Sequence, residues 1–213
     1  MTTDLADQPG SGTTHPLNRV AVHGWTFVVL LLLSAVMADV PDRSVATSVA
    51  RDFYQQHAAV VALAQVISLG AAVAFALFAR AFAQGLPAER PVVATGYAVA
   101  AAAALPSAPV LVLTAAAHAV SDATLRLLLI ACDATDVLLF ICIAGFTLAV
   151  ARGTTSPVWR ALCALCAVIS IARAVSLSVG ATALSVVAPV GFILLIAALA
   201  TLSHRPRWGV LRH

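Results

Sequence analysis

Six apolar segments, each long enough to cross a bilayer as a helix, constrain this chain more than any other feature of its sequence. They lie near 20–38, 58–80, 92–117, 124–151, 157–179 and 182–203. A transmembrane helix needs about 20 predominantly apolar residues. Only 10% of the 213 residues are charged and 62% are hydrophobic, whereas a soluble domain has about 25% charged residues. The sequence therefore predicts an all-α fold, a polytopic bundle of six transmembrane helices.

The segments divide the chain into one helical domain and two tails. We expect a flexible cytoplasmic tail over 1–18, the transmembrane domain over 19–203 and a short basic cytoplasmic tail over 204–213. The loop after the first segment is the longest, and it is amphipathic enough to contain a helical turn. Pro106 and Pro109 predict a kink in the third segment, where Ser107 could satisfy freed backbone carbonyls. Pro189 predicts a similar interruption in the sixth segment.

The arginines predict the orientation, because cytoplasmic loops are richer in basic residues than outer loops. With the N-terminus inside, eight arginines fall on the cytoplasmic side. The outer segments then hold Arg43, Arg51 and Arg126. All three tryptophans would lie at the inner interface, where indole rings are enriched. We therefore expect both termini in the cytoplasm. The absence of lysine and the abundance of alanine indicate a GC-rich bacterial genome, and hence the bacterial inner membrane.

The first segment has a second interpretation, a cleaved signal peptide. An arginine precedes a short apolar stretch, and Val-Met-Ala stands before Asp39, as at a cleavage site. However, the tail before Arg19 is long and acidic, and cleavage would leave five segments. We expect the segment to be retained.

Asp133 and Asp136 lie in the middle of the fourth apolar segment, where carboxylates are costly and commonly functional. Residues three or seven apart share a helix face, so Arg126 lies on the same face as both acids. On the fifth segment, Ser170 and Arg173 belong to a stripe of small and polar residues. Asp133 and Arg173 should lie at similar depths, and we expect them to form an ion pair.

That pair would leave Asp136 without a counter-charge. A desolvated carboxyl beside another carboxylate favours its protonated form, which can donate a hydrogen bond or a proton. Asp133, Asp136 and Arg173 are therefore the candidate catalytic residues, and Arg126 and Ser170 are candidate ligand-binding residues. Alternatively, the three charged residues only hold the fourth and fifth helices in register.

A weaker polar group comprises His57 and Gln65 on the second segment and His118 at the end of the third. We take all three as further candidates for ligand binding. Two histidines could hold haem if they faced one another at one depth, but interfacial histidines more often bond headgroups or loop carbonyls. We predict no cofactor and no metal site.

The four cysteines all lie in apolar segments, so we expect no disulfide framework. Cys163 and Cys166 are interpreted as small residues that let helices approach, not as a redox motif. The sequence has no nucleotide-binding loop, serine-hydrolase elbow or zinc-protease motif. The net charge of +3 is small and dispersed, which disfavours a nucleic-acid partner. The expected partners are membrane lipids and a small hydrophobic ligand, and the oligomeric state stays open.

The stretch CDATDVLLFICIAGFTLAVARGTTSPVWRALCAL resembles a family of bacterial six-span integral membrane proteins that is known only as a domain of unknown function. The family pattern has an Asp early in the fourth span, here Asp133 or Asp136. It continues with a Gly later in that helix, here Gly145, and a Pro-initiated fifth span, here Pro157. The resemblance extends over about 20–203 and implies the six-helix architecture without an activity.

Three functions are compatible with these features. The leading hypothesis is a membrane protein that binds or moves a small hydrophobic or amphipathic molecule at a mid-membrane site around Asp133, Asp136 and Arg173. The second is an intramembrane enzyme that acts on a lipid or isoprenoid with Asp136 as general acid. The third is a non-catalytic membrane subunit.

Overall fold

The computed structural model describes residues 16–37, 40–41, 43, 45–84, 86–181 and 184–202. These residues form seven α-helices and no strand, which confirms the predicted all-α fold class. The helices are α1 (Pro16–Met37), α2 (Thr47–Ala83), α3 (Glu89–Ala104), α4 (Ser107–Ala116), α5 (Asp122–Gly153), α6 (Pro157–Ser178) and α7 (Val187–Leu202). Residues 1–15 and 203–213, which include most of the predicted tails, lie outside the described residues.

Five stretches of the described chain are long and apolar enough to cross a membrane. They are α1, α2, α3 together with α4, α5 and α6. The sixth predicted segment corresponds to α7, a shorter apolar helix of 16 residues. The chain is therefore a multi-pass helical membrane protein.

The helices follow one another around a closed ring. Going around the ring, α1 packs against α2, α2 against α3, α3 against α5, α5 against α6, α6 against α7, and α7 returns to α1. α4 continues α3 beyond a kink and packs against α2 and α5. This arrangement places α5 and α6, which carry the candidate site residues, side by side as the short connection between them predicted.

Phenylalanine rings fill the interior in the half of the bundle where α2 and α5 end. The ring of Phe75 on α2 lies 5.0 Å from that of Phe27 on α1, 5.2 Å from that of Phe146 on α5 and 5.6 Å from that of Phe192 on α7. Tilted aromatic pairs at such distances are favourable beyond the area that they bury. We call these four residues the phenylalanine core. It leaves this half of the bundle tightly packed.

Two close helix contacts depend on glycine. A Cβ on Gly96 of α3 would lie 2.3 Å from the Cβ of Ala79 on α2, and a Cβ on Gly24 of α1 would lie 2.6 Å from that of Ala200 on α7. Small residues let helix backbones approach in this way, because lipid provides no hydrophobic drive for helices to associate. These glycines therefore determine how closely neighbouring helices pack.

The predicted kink in the third segment is present, since α3 ends at Ala104 and α4 begins at Ser107. Pro106 cannot donate a backbone hydrogen bond there. The Ser107 hydroxyl donates to Oε1 of Gln65 on α2 at 3.0 Å, so it binds a neighbouring side chain instead of a freed carbonyl. The prediction for Pro189 is wrong. Pro189 is the third residue of α7, in the first turn, where a missing N–H costs little.

The second helix begins earlier than its apolar segment. α2 starts at Thr47, which confirms helix within the loop that we expected to contain a helical turn. At His57 the backbone leaves helical geometry, with φ −113° and ψ 15°. The polar first turns of α2 therefore meet its apolar part at a kink.

Candidate functional site

Arg43, in the loop before α2, connects α5 to α6. Its Nε lies 3.0 Å from Oδ2 of Asp133, and its Nη2 donates to the carbonyl of Leu177 at 2.8 Å. The Arg43 and Asp133 side chains are 33% and 16% exposed, so the pair is partly buried. The guanidinium is favourable at both contacts, because Asp133 is an acid and the C-terminus of α6 carries partial negative charge.

Gly180 shapes the end of α6 for this contact. Its φ of +75° is ordinary for glycine. The N–H of Gly180 donates to Leu177, and the N–H of Ala181 donates to Ser176, which is the Schellman pattern of a helix C-terminus. A Cβ on Gly180 would lie 3.1 Å from Nη2 of Arg43. The glycine therefore provides the turn and also the space for the arginine.

The expected ion pair between Asp133 and Arg173 is absent from the ion pairs of the described residues. Nη1 of Arg173 donates to the carbonyl of Ala181 at 3.3 Å, beyond the end of α6. Ser176 donates to the same carbonyl at 3.0 Å. The Arg173 side chain thus extends along its own helix towards the C-terminus. Arg43 makes the contact with Asp133 that the sequence predicted for Arg173.

Asp136, one turn further along α5, is within electrostatic reach of both Asp133 and Arg173. The fold therefore brings together the three residues that we predicted as the functional centre, although it pairs them differently. Together with Arg43 they form a cluster of two acids and two bases between α5, α6 and the loop before α2. We call Arg43, Asp133, Asp136 and Arg173 the charge cluster.

A second arginine makes a similar connection near the start of α5. Nη2 of Arg51 lies 2.7 Å from Oδ1 of Asp122 and donates to the carbonyl of Val120 at 2.9 Å. Its Nη1 donates to the carbonyl of Ala117, just after α4. Arg51 thus joins α2 to both α4 and α5, as Arg43 joins α5 to α6.

The histidines are not brought into a common site. His57 is exposed, its ring is stacked on Phe53 with centroids 4.8 Å apart, and its Nδ1 lies 3.1 Å from the carbonyl of Phe53. His118 is exposed in the turn after α4. No hydrogen bond or ring contact joins the two within the described part of the chain. Gln65 is engaged by Ser107, as described above.

Two fully buried hydroxyls, those of Tyr54 on α2 and Ser170 on α6, have unused hydrogen-bonding capacity. The Tyr54 hydroxyl has no hydrogen-bond partner among the described residues, and it is close enough to Cys132 to interact electrostatically. The polar neighbour of Ser170 is the thiol of Cys166, a weak hydrogen-bond partner. A buried hydroxyl without a partner costs about 1–3 kcal/mol. Ser170 was among the site residues predicted from the sequence, whereas Tyr54 was not.

A cavity of about 350 Å³ opens beside the charge cluster, between the loop before α2 and the first turns of α5. Its lining residues are Arg43, Val45, Ala46, Thr47, Arg126 and Leu129. Arg43 therefore belongs to both the cavity and the charge cluster. From the sequence, Arg43 was predicted to lie in an outer loop and was given no role. Its position could have drawn attention to it, because arginines are few in the outer loops.

The four cysteines are free, with Cys163 and Cys166 buried on α6. Within the described residues, no group of three or more His, Cys, Asp or Glu side chains could hold a metal ion. Comparison of the chain with protein-family models, with curated proteins and with solved structures finds no match.

Proposed function

We propose that this chain is a six-span protein of the bacterial cytoplasmic membrane, which binds a small hydrophobic or amphipathic molecule beside Asp133, Asp136 and Arg173. One observation carries the proposal. Arg43 lines the cavity and also pairs with Asp133, so the cavity adjoins one of the two intramembrane acids. Acids in a membrane-spanning helix are costly and are commonly found at ligand or ion sites.

The distribution of arginines supports an orientation with both termini in the cytoplasm. At the end of the bundle where α2 and α5 finish, the described arginines are Arg19, Arg80, Arg90, Arg152 and Arg160. That end should face the cytoplasm, because basic residues concentrate on that side. The cavity would then open on the outer side. α7 would serve as the sixth span, since a bilayer can thin locally around a short helix.

The difference between the two halves of the bundle supports binding of a molecule over its transport across the membrane. The cavity lies where α2 and α5 begin, whereas the phenylalanine core fills the half where they end. A molecule bound at the charge cluster would therefore be accessible from one side.

The position of Asp136 supports binding over catalysis. Asp136, the candidate general acid, is absent from the residues that line the cavity. A general acid must come within hydrogen-bond reach of the reacting group. Binding requires only that Asp136 contribute to the charge balance beside the ligand.

Equilibrium binding to the purified protein in detergent tests the proposal. The probes are three fluorescent single-chain amphiphiles, with a neutral, a zwitterionic and an anionic headgroup. We expect saturable binding of at least one probe. Asp136→Asn should change its affinity about tenfold, which corresponds to about 1.4 kcal/mol, and should strengthen the binding of an anionic probe because a neighbouring negative charge is removed. Glu89→Gln, which removes an exposed carboxylate at the start of α3, is the matched control and should not change the affinity. Absence of saturable binding by all three probes would refute the proposal, as would wild-type affinity in Asp136→Asn.

A further inference from the structure

The cavity beside the charge cluster has a positively charged lining. Among the lining residues that the structure describes, Arg43 and Arg126 are charged and none is acidic. The charge of Arg43 is balanced by Asp133 at 3.0 Å. Arg126 is exposed and has no hydrogen bond or ion pair with any residue that the structure describes. The cavity therefore carries one guanidinium without a counter-ion among those residues.

The nearby acids that the structure describes do not cancel this charge. Asp122, one turn before Arg126 on α5, is already paired with Arg51 at 2.7 Å. Asp133 is paired with Arg43. A guanidinium in such a setting attracts carboxylate or phosphate groups, which it can bind through two parallel hydrogen bonds.

The start of α2 also favours an anion in the cavity. Ala46 is the N-cap of α2 and Thr47 is its first residue, and both line the cavity. Ala46 has no side-chain oxygen to accept from the first turn, and that turn contains no acidic residue. Backbone N–H groups at a helix N-terminus are left without intrahelical partners and favour anions. The guanidinium of Arg126 and these N–H groups border one space.

Two of the described lining residues have larger apolar side chains, which indicates an amphiphile. Val45 and Leu129 line the cavity together with the two arginines. On the same part of α5, Leu127 is 65% exposed and Ile130 is 41% exposed. In a bilayer these side chains face acyl chains. A molecule with an anionic head in the cavity could thus lay its hydrocarbon chain along α5.

We infer that the cavity between the start of α2 and the first turns of α5 binds the oxyanion headgroup, phosphate or carboxylate, of an amphiphile, with Arg126 as its main charged contact. The inference rests on the proposed function and names the chemical class of its ligand. Arg43 shapes the cavity and holds the neighbouring acid. Arg126 is the residue that discriminates charge.

The test compares two fluorescent probes that share a phosphate and an acyl chain, lysophosphatidylglycerol with net charge −1 and lysophosphatidylcholine with net charge 0. We expect the anionic probe to bind at least about fivefold more tightly to the wild-type protein, because charge-assisted hydrogen bonds are the stronger ones. Arg126→Gln should remove this preference and weaken lysophosphatidylcholine less than lysophosphatidylglycerol, because the phosphate charge of the former is balanced by its own ammonium group. Arg90→Gln, an exposed arginine at the start of α3, is the matched control and should keep the preference.

Two further measurements distinguish the outcomes. Raising the salt concentration should weaken the anionic probe more than the zwitterionic one in the wild-type protein, which requires no variant. Inorganic phosphate at millimolar concentration should displace the probe if the site accepts a free anion, and should leave it bound if the acyl chain is required. Equal binding of both probes, unchanged by Arg126→Gln, would overturn the inference while leaving the proposed function intact. Failure of both probes to saturate would count against the inference and against the proposed function.

Discussion

The guanidinium of Arg43 contacts Asp133 on α5 and the Leu177 carbonyl at the end of α6, at 3.0 Å and 2.8 Å. One side chain from a loop thus sets the relative position of two helices. It also places the acid level with the last turn of α6. The charge cluster therefore lies towards the end of α6, with the first turns of α5 projecting beyond it.

A double-mutant cycle should measure this connection. We expect Arg43→Leu and Asp133→Asn to lower the free energy of unfolding singly, with a coupling of about 1–2 kcal/mol. This value lies between the ~0.5 kcal/mol of exposed pairs and the ~3–5 kcal/mol lost when a buried pair is broken. Reversible denaturation in detergent provides the measurement. The parallel cycle of Asp133→Asn with Arg173→Leu should show a smaller coupling, and a larger one would restore the pairing that the sequence predicted.

Gly180→Ala should destabilise the end of α6. Alanine at φ +75° costs about 1–2 kcal/mol, because its Cβ crowds the following carbonyl. Its Cβ would also press on Nη2 of Arg43 at 3.1 Å. The melting temperature in detergent should fall, and Arg43→Leu should partly relieve the effect in the double variant. Strictly additive losses would show that the glycine does not shape the arginine contact.

Gly96→Ala should destabilise the contact between α3 and α2. The new Cβ would lie 2.3 Å from Ala79, so the helices must separate, at a cost of about 1–3 kcal/mol. Gly191 on α7 is the matched control, because a Cβ added there would meet no atom within 4 Å. Gly191→Ala should leave stability unchanged or raise it by up to about 1 kcal/mol, through helix propensity. Equal effects of the two changes would argue against close packing at Gly96.

The hydrogen bond between Ser107 and Gln65 should stabilise the kink between α3 and α4 by about 0.6 kcal/mol, the average for such bonds in membranes. The cycle of Ser107→Ala with Gln65→Leu measures it by unfolding in detergent. Thr114→Val serves as the comparison, because Thr114 donates within its own helix, to Leu111. It should combine additively with Gln65→Leu. Additivity in the Ser107 cycle as well would mean that the bond contributes nothing.

The proposed orientation predicts where reporter fusions become active. Fusions after Leu86 and after Thr154 should report the cytoplasm, and a fusion after Ala46 should report the outer side. The physical reason is the excess of arginine beside the first two positions. A fusion after Thr154 that reports the outer side would contradict the orientation and the outward opening of the cavity.

The sequence by itself determined the membrane-helical architecture of this protein. Apolar segments of membrane length indicate helices, because a backbone in lipid must satisfy its own hydrogen bonds. The kink at Pro106 followed from proline chemistry, and the adjacency of α5 and α6 followed from their short connection. Asp133, Asp136 and Arg173 were found because charge within an apolar segment stands out.

Only the tertiary structure decided how those charges are partnered. The prediction that Arg173 pairs with Asp133 assumed that depth along neighbouring helices determines contact. Arg43 reaches Asp133 from a loop, and Arg173 extends towards Ala181 instead. A long, flexible arginine side chain can bind a carboxylate or a backbone carbonyl, so its depth along the helix does not determine its partner. Helix periodicity also gives no position for a loop residue such as Arg43. The cavity at Arg126 likewise exists only because the start of α2 folds back beside α5.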